Sequence, residues 1–168
     1  VVDSARAGSL QTATAAATAY SGLAEAKSIE GRMLLQPSTV NTLEPSWTAA
    51  MTDVKGAVEK LGAQSSSVSG LVNTYSAAHT ALADLLKQNK VTEARQSAAN
   101  TTTGVNPTHK TASDALSKVF SDAKVATASD MSHQQDGLRV ATILAVLLGL
   151  LGALASWVGL GQRLREYR

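Results

Sequence analysis

An uninterrupted apolar segment near the C-terminus constrains this chain more than any other feature. Residues 140–161 are 22 residues without a charge, and the most polar among them are Thr142 and Ser156. A helix needs about 20 mainly apolar residues to cross the hydrocarbon core of a bilayer. The rest of the chain is too small and too polar to bury such a helix on all sides. We therefore predict a transmembrane helix over residues 138–161.

The charges beside this segment are unevenly distributed and predict its orientation. Residues 138–168 hold four Arg and one Glu, a balance of +3, whereas residues 1–137 hold 11 basic and 12 acidic residues, a balance of −1. Positive residues close to a membrane span tend to stay in the cytoplasm. Three arginines follow the span and serve as topology anchors: Arg163, Arg165 and Arg168. We expect a short basic cytoplasmic tail over 162–168 and an extracytoplasmic domain over 1–137, in the cell membrane.

Small residues recur every four positions in the apolar segment and would share one face of its helix: Ala141, Ala145, Gly149 and Ala153. Such a face allows a second helix to approach closely. Chance is the competing interpretation, because small residues are common throughout this chain. The pattern predicts that the membrane helix packs against another protein or against a second copy of the chain.

The first part of the chain predicts a long helix followed by a loop. Residues 2–35 contain no proline and are rich in alanine. Lys27 interrupts the apolar stripe, and we expect its stem to lie on the core with its amine in solvent. Residues 36–45 contain Pro37 and Pro45 and predict a loop. An apolar stripe predicts the buried face of the helix: Leu10, Ala13, Ala17, Tyr20, Ala24 and Leu34.

The middle of the chain has the clearest period, with alternating steps of four and three residues. This spacing is typical of helices packed side by side. Residues 62–70 are poor helix formers and favour a turn between two antiparallel helices. One helix of about 40 residues is the alternative that the unbroken register permits. The stripe consists of Trp47, Met51, Val54, Val58, Leu61, Val68, Val72, Tyr75, His79, Leu82 and Leu86.

A short helix is expected over 92–99, followed by a linker over 100–104. Asn106 is a suitable N-cap for a last helix, and Pro107 is favoured in a first helical turn. We therefore predict an all-α fold: an antiparallel up-down four-helix bundle that continues into a C-terminal transmembrane helix. The predicted buried face of the last helix consists of Ala112, Leu116, Val119, Ala123 and Ala126.

The residues that could carry chemistry are few and scattered. The chain has no cysteine, and its three histidines, His79, His109 and His133, lie in different segments without carboxylates at metal-binding spacing. His79 follows the apolar register, which favours a hydrogen-bonded core histidine over a ligand. Neither a phosphate-binding loop nor a nucleophile motif is present, and the basic residues form no face for nucleic acid. We predict that the chain is not an enzyme, with no catalytic, metal or cofactor site.

The loop after residue 35 is a candidate partner-binding site. If the first helix leaves the membrane and the last one returns to it, this loop lies at the far tip of the domain. Grouped exposed apolar residues often mark a contact site. In the alternative interpretation Leu43 and Trp47 close the end of the core, because Trp47 begins the apolar register. The candidate contact residues are Leu35, Pro37, Leu43 and Trp47.

Two resemblances to known families add to this interpretation. Tyr75 and residues 82–95 (LADLLKQNKVTEAR), followed by Pro107 and the Leu116 stripe, resemble the extracytoplasmic four-helix-bundle domains of bacterial chemoreceptors and sensor kinases. Residues 157–168 (WVGLGQRLREYR) look like the C-terminus of actinobacterial GlnX-type membrane proteins. The second resemblance implies a sensing relay, in which an outer helical domain works with an amino-acid-binding protein and a cytoplasmic Ser/Thr kinase.

These features lead to two functional hypotheses. In the first, the chain is a sensor or signal-relay component that responds to a ligand or a ligand-loaded binding protein and passes a conformational signal through its membrane helix. In the alternative, it is a structural or accessory subunit of a larger envelope complex, for example a respiratory or transport assembly. The continuous last helix favours the first hypothesis, and the short tail and the small-residue face favour the second.

Overall fold

The computed structural model describes residues 2–132, and all regular structure in this range is helical. Short 3-10 turns, Pro37–Thr39 and Glu59–Gln64, separate the first three helices. No strand occurs within residues 2–132, so the predicted all-α class is confirmed for this part of the chain. The α-helices are α1 (Val2–Leu35), α2 (Val40–Val58), α3 (Ser65–Lys87), α4 (Val91–Ala99) and α5 (Val105–Ser132).

The described residues do not include the predicted membrane segment. Val1–Thr127 form one compact unit, and a second unit begins at Ala128, of which only the end of α5 is described. The predicted span over 138–161, the cytoplasmic tail, the small-residue face and the three arginine anchors all lie outside the described residues. Within residues 2–132, none of the helices is long and apolar enough to cross a bilayer.

Helices joined by a short turn are antiparallel and pack against each other. Gly22 of α1 lies against Val54 of α2, and both residues are equally far from the turn Pro37–Thr39. Trp47 of α2 stacks on His79 of α3, and the second turn, Glu59–Gln64, connects these two helices. Pairing of positions at similar distances from a turn is expected of antiparallel neighbours.

Helix α5 runs antiparallel to α1, as contacts at both ends indicate. Thr127, late in α5, donates a hydrogen bond to Ser9, early in α1, at 3.1 Å. Lys27, late in α1, donates to Asn106 at the start of α5 at 2.5 Å. All five helices contribute side chains to one apolar core, so the arrangement is bundle-like.

The stripe predicted for the middle of the chain is buried throughout, and the chain does turn between its halves. Every residue of that stripe from Trp47 to Leu86 has an exposure of 6% or less. Gly62 breaks the helix with φ +62° and ψ −126°, a conformation that residues with a Cβ rarely adopt. The prediction of two antiparallel helices is confirmed, and the single long helix is excluded.

The stripe predicted for α1 is wrong in its middle, whereas Ala13 is buried as predicted and Leu10, Ala17 and Leu34 are half-buried. Tyr20 is 46% exposed and Ala24 is also exposed. The predicted positions Ala17, Tyr20 and Ala24 each lie one residue after a buried position. Alanines occur on both sides of α1, so the hydrophobic pattern does not define which face is buried. The buried face runs through Ala16, Ala19, Leu23, Ala26, Ile29, Glu30 and Met33.

The loop predicted over 36–45 is correct only over residues 36–39, because α2 already begins at Val40 and contains Pro45. A proline inside a helix removes one backbone hydrogen bond and costs about 3 kcal/mol or more. Val40 and Trp47 are both buried, on either side of the exposed Pro45. Burial of large apolar side chains, at about 1.5–3 kcal/mol each, offsets that cost.

The connection from α4 to α5 differs from the prediction in how the last helix begins. Helix α4 confirms the expected short helix, and Asn100 then accepts the backbone N–H of Thr102 at 2.8 Å. Gly104 adopts φ +100°, and a Cβ there would lie 2.6 Å from the carbonyl oxygen of Ser97. Helix α5 starts at Val105, so Asn106 lies within its first turn, and the predicted N-cap is wrong.

The predicted face of α5 is correct except at its end. Ala126 is exposed and Thr127 is buried in its place. An α-helix has 3.6 residues per turn, so a strict seven-residue stripe drifts by about 20° per heptad and the inward position moves on by one residue. The other predicted positions are buried: Ala112, Leu116, Val119 and Ala123.

Candidate functional site

A group of polar and aromatic side chains interrupts the apolar core between α1, α2, α3 and α5. Glu30, Tyr75 and His79 in this group are fully buried. Burying an ionisable group costs several kcal/mol unless partners compensate it, so the contacts of each member decide its state. We call this group the polar cluster: Lys27, Glu30, Glu44, Trp47, Tyr75, His79, Asn106 and His109.

Glu30 is the centre of the polar cluster because three side chains direct donors at its carboxylate. Lys27 Nζ forms an ion pair with Oε1, and Oε2 lies 3.1 Å from Nδ1 of His79 and accepts the Tyr75 hydroxyl at 3.4 Å. Burial raises the pKa of Glu30, but the hydrogen bond of His79 and the charge and hydrogen bond of Lys27 together lower it below its ordinary value. Glu30 is therefore an ionised carboxylate at neutral pH.

His79 joins α3 to both α1 and α2. Its ring stacks on the indole of Trp47, with centroids 3.6 Å apart and planes 6° from parallel. Its second nitrogen, Nε2, lies 3.5 Å from Oε2 of Glu44. This distance is within ion-pair range, but the alignment does not make a hydrogen bond, and both atoms are buried. His79 thus has one carboxylate at each ring nitrogen.

Tyr75 and His109 form the side of the polar cluster that faces α5. The two rings meet edge to face, with centroids 5.3 Å apart. Burial, and then the charge of Glu30, raises the pKa of Tyr75, so the phenol stays neutral. Burial, and then the charge of Lys27, lowers the pKa of His109. Both groups are uncharged near neutral pH, and they contribute shape and hydrogen bonding more than charge.

Lys27 and Asn106 connect the polar cluster to the start of α5. The side-chain oxygen of Asn106 accepts from Lys27 at 2.5 Å, and its amide nitrogen donates to the carbonyl oxygen of Ala98 in α4. The sequence predicted that the amine of Lys27 lies in solvent. In the structure its ammonium is instead shared between Glu30 and Asn106. A displacement of α5 at this point would break a contact with α1.

The structure places the predicted contact residues of the tip in different environments. Leu35 is 79% exposed, Pro37 and Leu43 are half-buried, and Trp47 is buried. Leu43 packs against the core, and Trp47 belongs to it. A partner contact by these residues remains a prediction.

Sequence reasoning identified His79 as a core histidine but missed Glu30 and the assembly around it. Glu30 follows the same heptad spacing as Leu23, Ala26 and Met33, which was a signal that its carboxylate faces inward. A lysine three residues earlier on the same helix, at Lys27, provides the partner that such a carboxylate needs. Nothing in the sequence indicates that Glu44 reaches His79.

The polar cluster lacks an arrangement suited to a metal ion. Within the part of the chain that the structure describes, no three His, Asp or Glu side chains come together in a way that could hold one. His79 and Glu30 already direct their atoms at each other. The arrangement links α1, α2, α3 and α5 through charged and polar side chains.

Comparisons of the chain with protein-family models, with curated protein sequences and with solved structures find no match. The resemblances to chemoreceptor sensor domains and to GlnX-type proteins therefore remain predictions from the residues that carry them.

Proposed function

We infer that this chain is a membrane-anchored sensor or signal-relay component with an extracytoplasmic four-helix bundle. In this proposal α1, α2, α3 and α5 form an up-down bundle, and the last helix continues into a transmembrane helix over 138–161. The C-terminal tail lies in the cytoplasm. The partners of the chain are the membrane and other proteins. We expect those proteins to bind the membrane helix or the distal tip. The proposal assigns no enzymatic activity, cofactor or nucleic acid to the chain.

The observation that supports this function is the polar cluster. An apolar core of the same volume is often at least as stable as a core that contains buried ion pairs. Charged groups in a helix interface make the packing sensitive to charge and to small displacements, and small shifts of packed helices are a common way to transmit a signal. Lys27 binds Asn106 in the first turn of α5, and the sequence of α5 leads towards the predicted span.

Topology can be tested with single cysteines, because the natural chain has none. Lys118 has a 75% exposed side chain on α5, and Glu166 lies in the predicted tail. A membrane-impermeant maleimide should label Lys118→Cys in intact cells and Glu166→Cys only after permeabilisation. Labelling of Glu166→Cys alone in intact cells would reverse the proposed orientation, and labelling of both or neither would contradict a single span.

The relay itself can be tested by changing the polar cluster and observing the tail. In inside-out membrane vesicles the labelling rate of Glu166→Cys reports the environment of the cytoplasmic end. Glu30→Gln should change that rate, whereas Glu25→Gln, an exposed substitution on the same helix, should not. Equal rates, together with respiratory or transport subunits that co-purify in detergent, would contradict the relay and favour the accessory-subunit function.

A further inference from the structure

An exposed leucine lies between two arginines at the end of α1. Leu35, the last residue of this helix, is 79% exposed, the largest value for a large apolar side chain among the described residues. Arg32 comes three residues earlier, a spacing that makes side chains neighbours on a helix surface. Arg95 of α4 donates hydrogen bonds to the carbonyl oxygen of Leu34. We call these three exposed residues the tip surface: Arg32, Leu35 and Arg95.

Arg95 is held in place by only one edge of its guanidinium group. Nε and Nη2 lie 3.4 and 3.2 Å from the carbonyl oxygen of Leu34, in the last turn of α1. The last four carbonyl oxygens of a helix have no partner inside the helix, so this contact also caps α1. A guanidinium group has five N–H donors in a planar fork. The second edge, formed by Nη1 and Nη2, remains for a carboxylate, which would accept two parallel hydrogen bonds.

The described part of the chain supplies no carboxylate to either arginine of the tip surface. No ion pair among residues 2–132 includes Arg32 or Arg95. By contrast, the exposed Lys110 and Lys118 of α5 each pair with an aspartate one turn further along the helix. The two arginines of the tip surface are therefore available to carboxylates of another molecule.

The tip is also the basic end of the domain. Residues 32–39 and 87–104 contain the ends of α1 and α3 and the whole of α4, and they hold four basic residues and one acidic residue, a balance of +3. Residues 2–132 as a whole hold 11 of each. The remainder of the domain therefore has a balance of −3. An acidic partner is attracted to the tip more than to the rest of the bundle.

The combination of apolar and basic groups favours a protein as the partner. An apolar centre with a charged rim is typical of protein–protein interfaces, in which arginine is enriched. Leu34 and Pro37 are half-buried and adjoin Leu35, which enlarges the apolar centre. A nucleic acid would need a wider basic face for its phosphates and has no apolar side chain to cover a leucine. An acidic protein segment with an apolar side chain of its own matches both parts of the surface.

The tip surface is connected to the polar cluster through α4. Arg95 and Ala98 lie about one turn apart on this helix, and the carbonyl oxygen of Ala98 accepts the side-chain amide of Asn106. Asn106 in turn accepts a hydrogen bond from Lys27 at 2.5 Å, and Lys27 forms the ion pair with Glu30. A partner that displaces α4 would therefore act on the polar cluster through direct contacts.

We propose that the tip surface binds an acidic segment of a partner protein, with a carboxylate on the second edge of Arg95 and an apolar side chain against Leu35. The inference rests on the proposed function, because it names the chemistry of the partner expected at the distal tip. It adds Arg32 and Arg95 to that contact and removes Trp47, which is buried.

Photo-crosslinking in intact cells tests this surface without removing any of its residues. Gln36, which is exposed next to Leu35, is replaced by benzoylphenylalanine in the full chain. Illumination should attach this position to a protein segment that mass spectrometry shows to contain Asp or Glu beside the attachment point. Attachment to a lipid, to a second copy of this chain or to a segment without carboxylates would overturn the proposal, and so would the absence of any attachment.

Charge reversal then tests the arginines. Arg95→Glu and Arg32→Glu should each lower the crosslink yield about tenfold, since loss of an interface anchor commonly costs at least that much affinity. The Arg32 side chain makes no hydrogen bond within residues 2–132, so Arg32→Glu remains informative if Arg95→Glu weakens the fold. Lys55→Glu is the exposed control near the other end of α2 and should leave the yield unchanged.

A compensating change identifies the pairing itself. Replacing the identified carboxylate of the partner with lysine should restore the crosslink to Arg95→Glu. An unchanged yield in both reversed variants, a loss as large in Lys55→Glu, or a lack of restoration would overturn the proposal.

The crosslink and the tail labelling separate this inference from the relay. A crosslink that depends on the arginines, with tail labelling that Glu30→Gln leaves unchanged, would support the tip surface and contradict the relay. A crosslink that is absent or independent of the arginines, with tail labelling that Glu30→Gln changes, would overturn the tip surface and support the relay.

Discussion

Two regions of the core hold the same helices together by different means. Around Gly22, α1 and α2 approach until a single added methyl group would overlap Val54. Around Glu30, the same two helices and α3 are joined through ionisable side chains. The first region tolerates no extra volume, and the second tolerates no unpaired charge. A change in charge or protonation would therefore alter the packing around Glu30 and leave the contact around Gly22 unchanged.

The largest effect is expected where a buried charge loses its partner. Glu30→Ala would leave Lys27, Tyr75 and His79 without their common acceptor, and breaking such a buried network costs about 3–5 kcal/mol. Urea denaturation of the full chain in detergent measures this loss. Glu25→Ala on the exposed side of α1 should have no measurable effect. A loss as small for Glu30→Ala as for Glu25→Ala would mean that the charged region does not hold the helices together.

Truncation in the apolar part of the core should cost somewhat less. Leu82 is fully buried in α3, so Leu82→Ala should lower the free energy of unfolding by about 2–4 kcal/mol through lost burial and a cavity. Val58→Ala removes less volume and should cost less. Lys118→Ala, at an exposed position, should be near neutral. Equal effects at all three positions would contradict the heptad register.

The close contact of α1 and α2 predicts a penalty for adding volume. Gly22→Ala should destabilise the domain by about 1–3 kcal/mol, the usual cost of overpacking a core. Gly31→Ala is the matched control on the same helix, because a Cβ there meets no atom within 4 Å. This control should be stabilising by about 0.5–1 kcal/mol, since alanine favours a helix. Stabilisation by both substitutions would show that the helices are farther apart than described.

The smallest expected effect is the decrease in the stability of the fold at acid pH. Because the pKa of Glu30 is lower in the folded domain than its ordinary value of 4.5, its carboxylate stabilises the fold above that pH. This contribution is lost as the pH falls through the folded value. Between pH 5 and pH 3 the urea midpoint should decrease more steeply for the natural chain than for Glu30→Gln. Parallel curves would contradict an ionised, stabilised Glu30.

The sequence predicts the elements of this fold better than its contacts. The stripe from Trp47 to Leu86 is correct, because large side chains at heptad spacing have only one way to be buried together. The turn at Gly62 follows from poor helix formers. The middle of the predicted face of α1 is wrong because alanines lie on both sides of this helix, and their small side chains leave little signal in a pattern of hydrophobic size.

The polar cluster could be predicted only in part. The register places His79 in the core, and the same spacing could have placed Glu30 beside it. The helical start of α2 around Pro45 was not predictable from the proline pattern, and it is this start that brings Glu44 to Nε2 of His79. Long-range contacts of this kind depend on how three helices pack together.

A double-mutant cycle tests most directly whether Glu30 and His79 act as one unit. The free energy of unfolding is measured for the natural chain, for Glu30→Gln, for His79→Gln and for the double variant. Residues in one hydrogen-bonded charge network have coupling energies of about 0.5–3 kcal/mol, and we predict a value of at least about 1 kcal/mol here. A sum of the single effects that equals the double effect to within about 0.5 kcal/mol would contradict a coupled polar cluster.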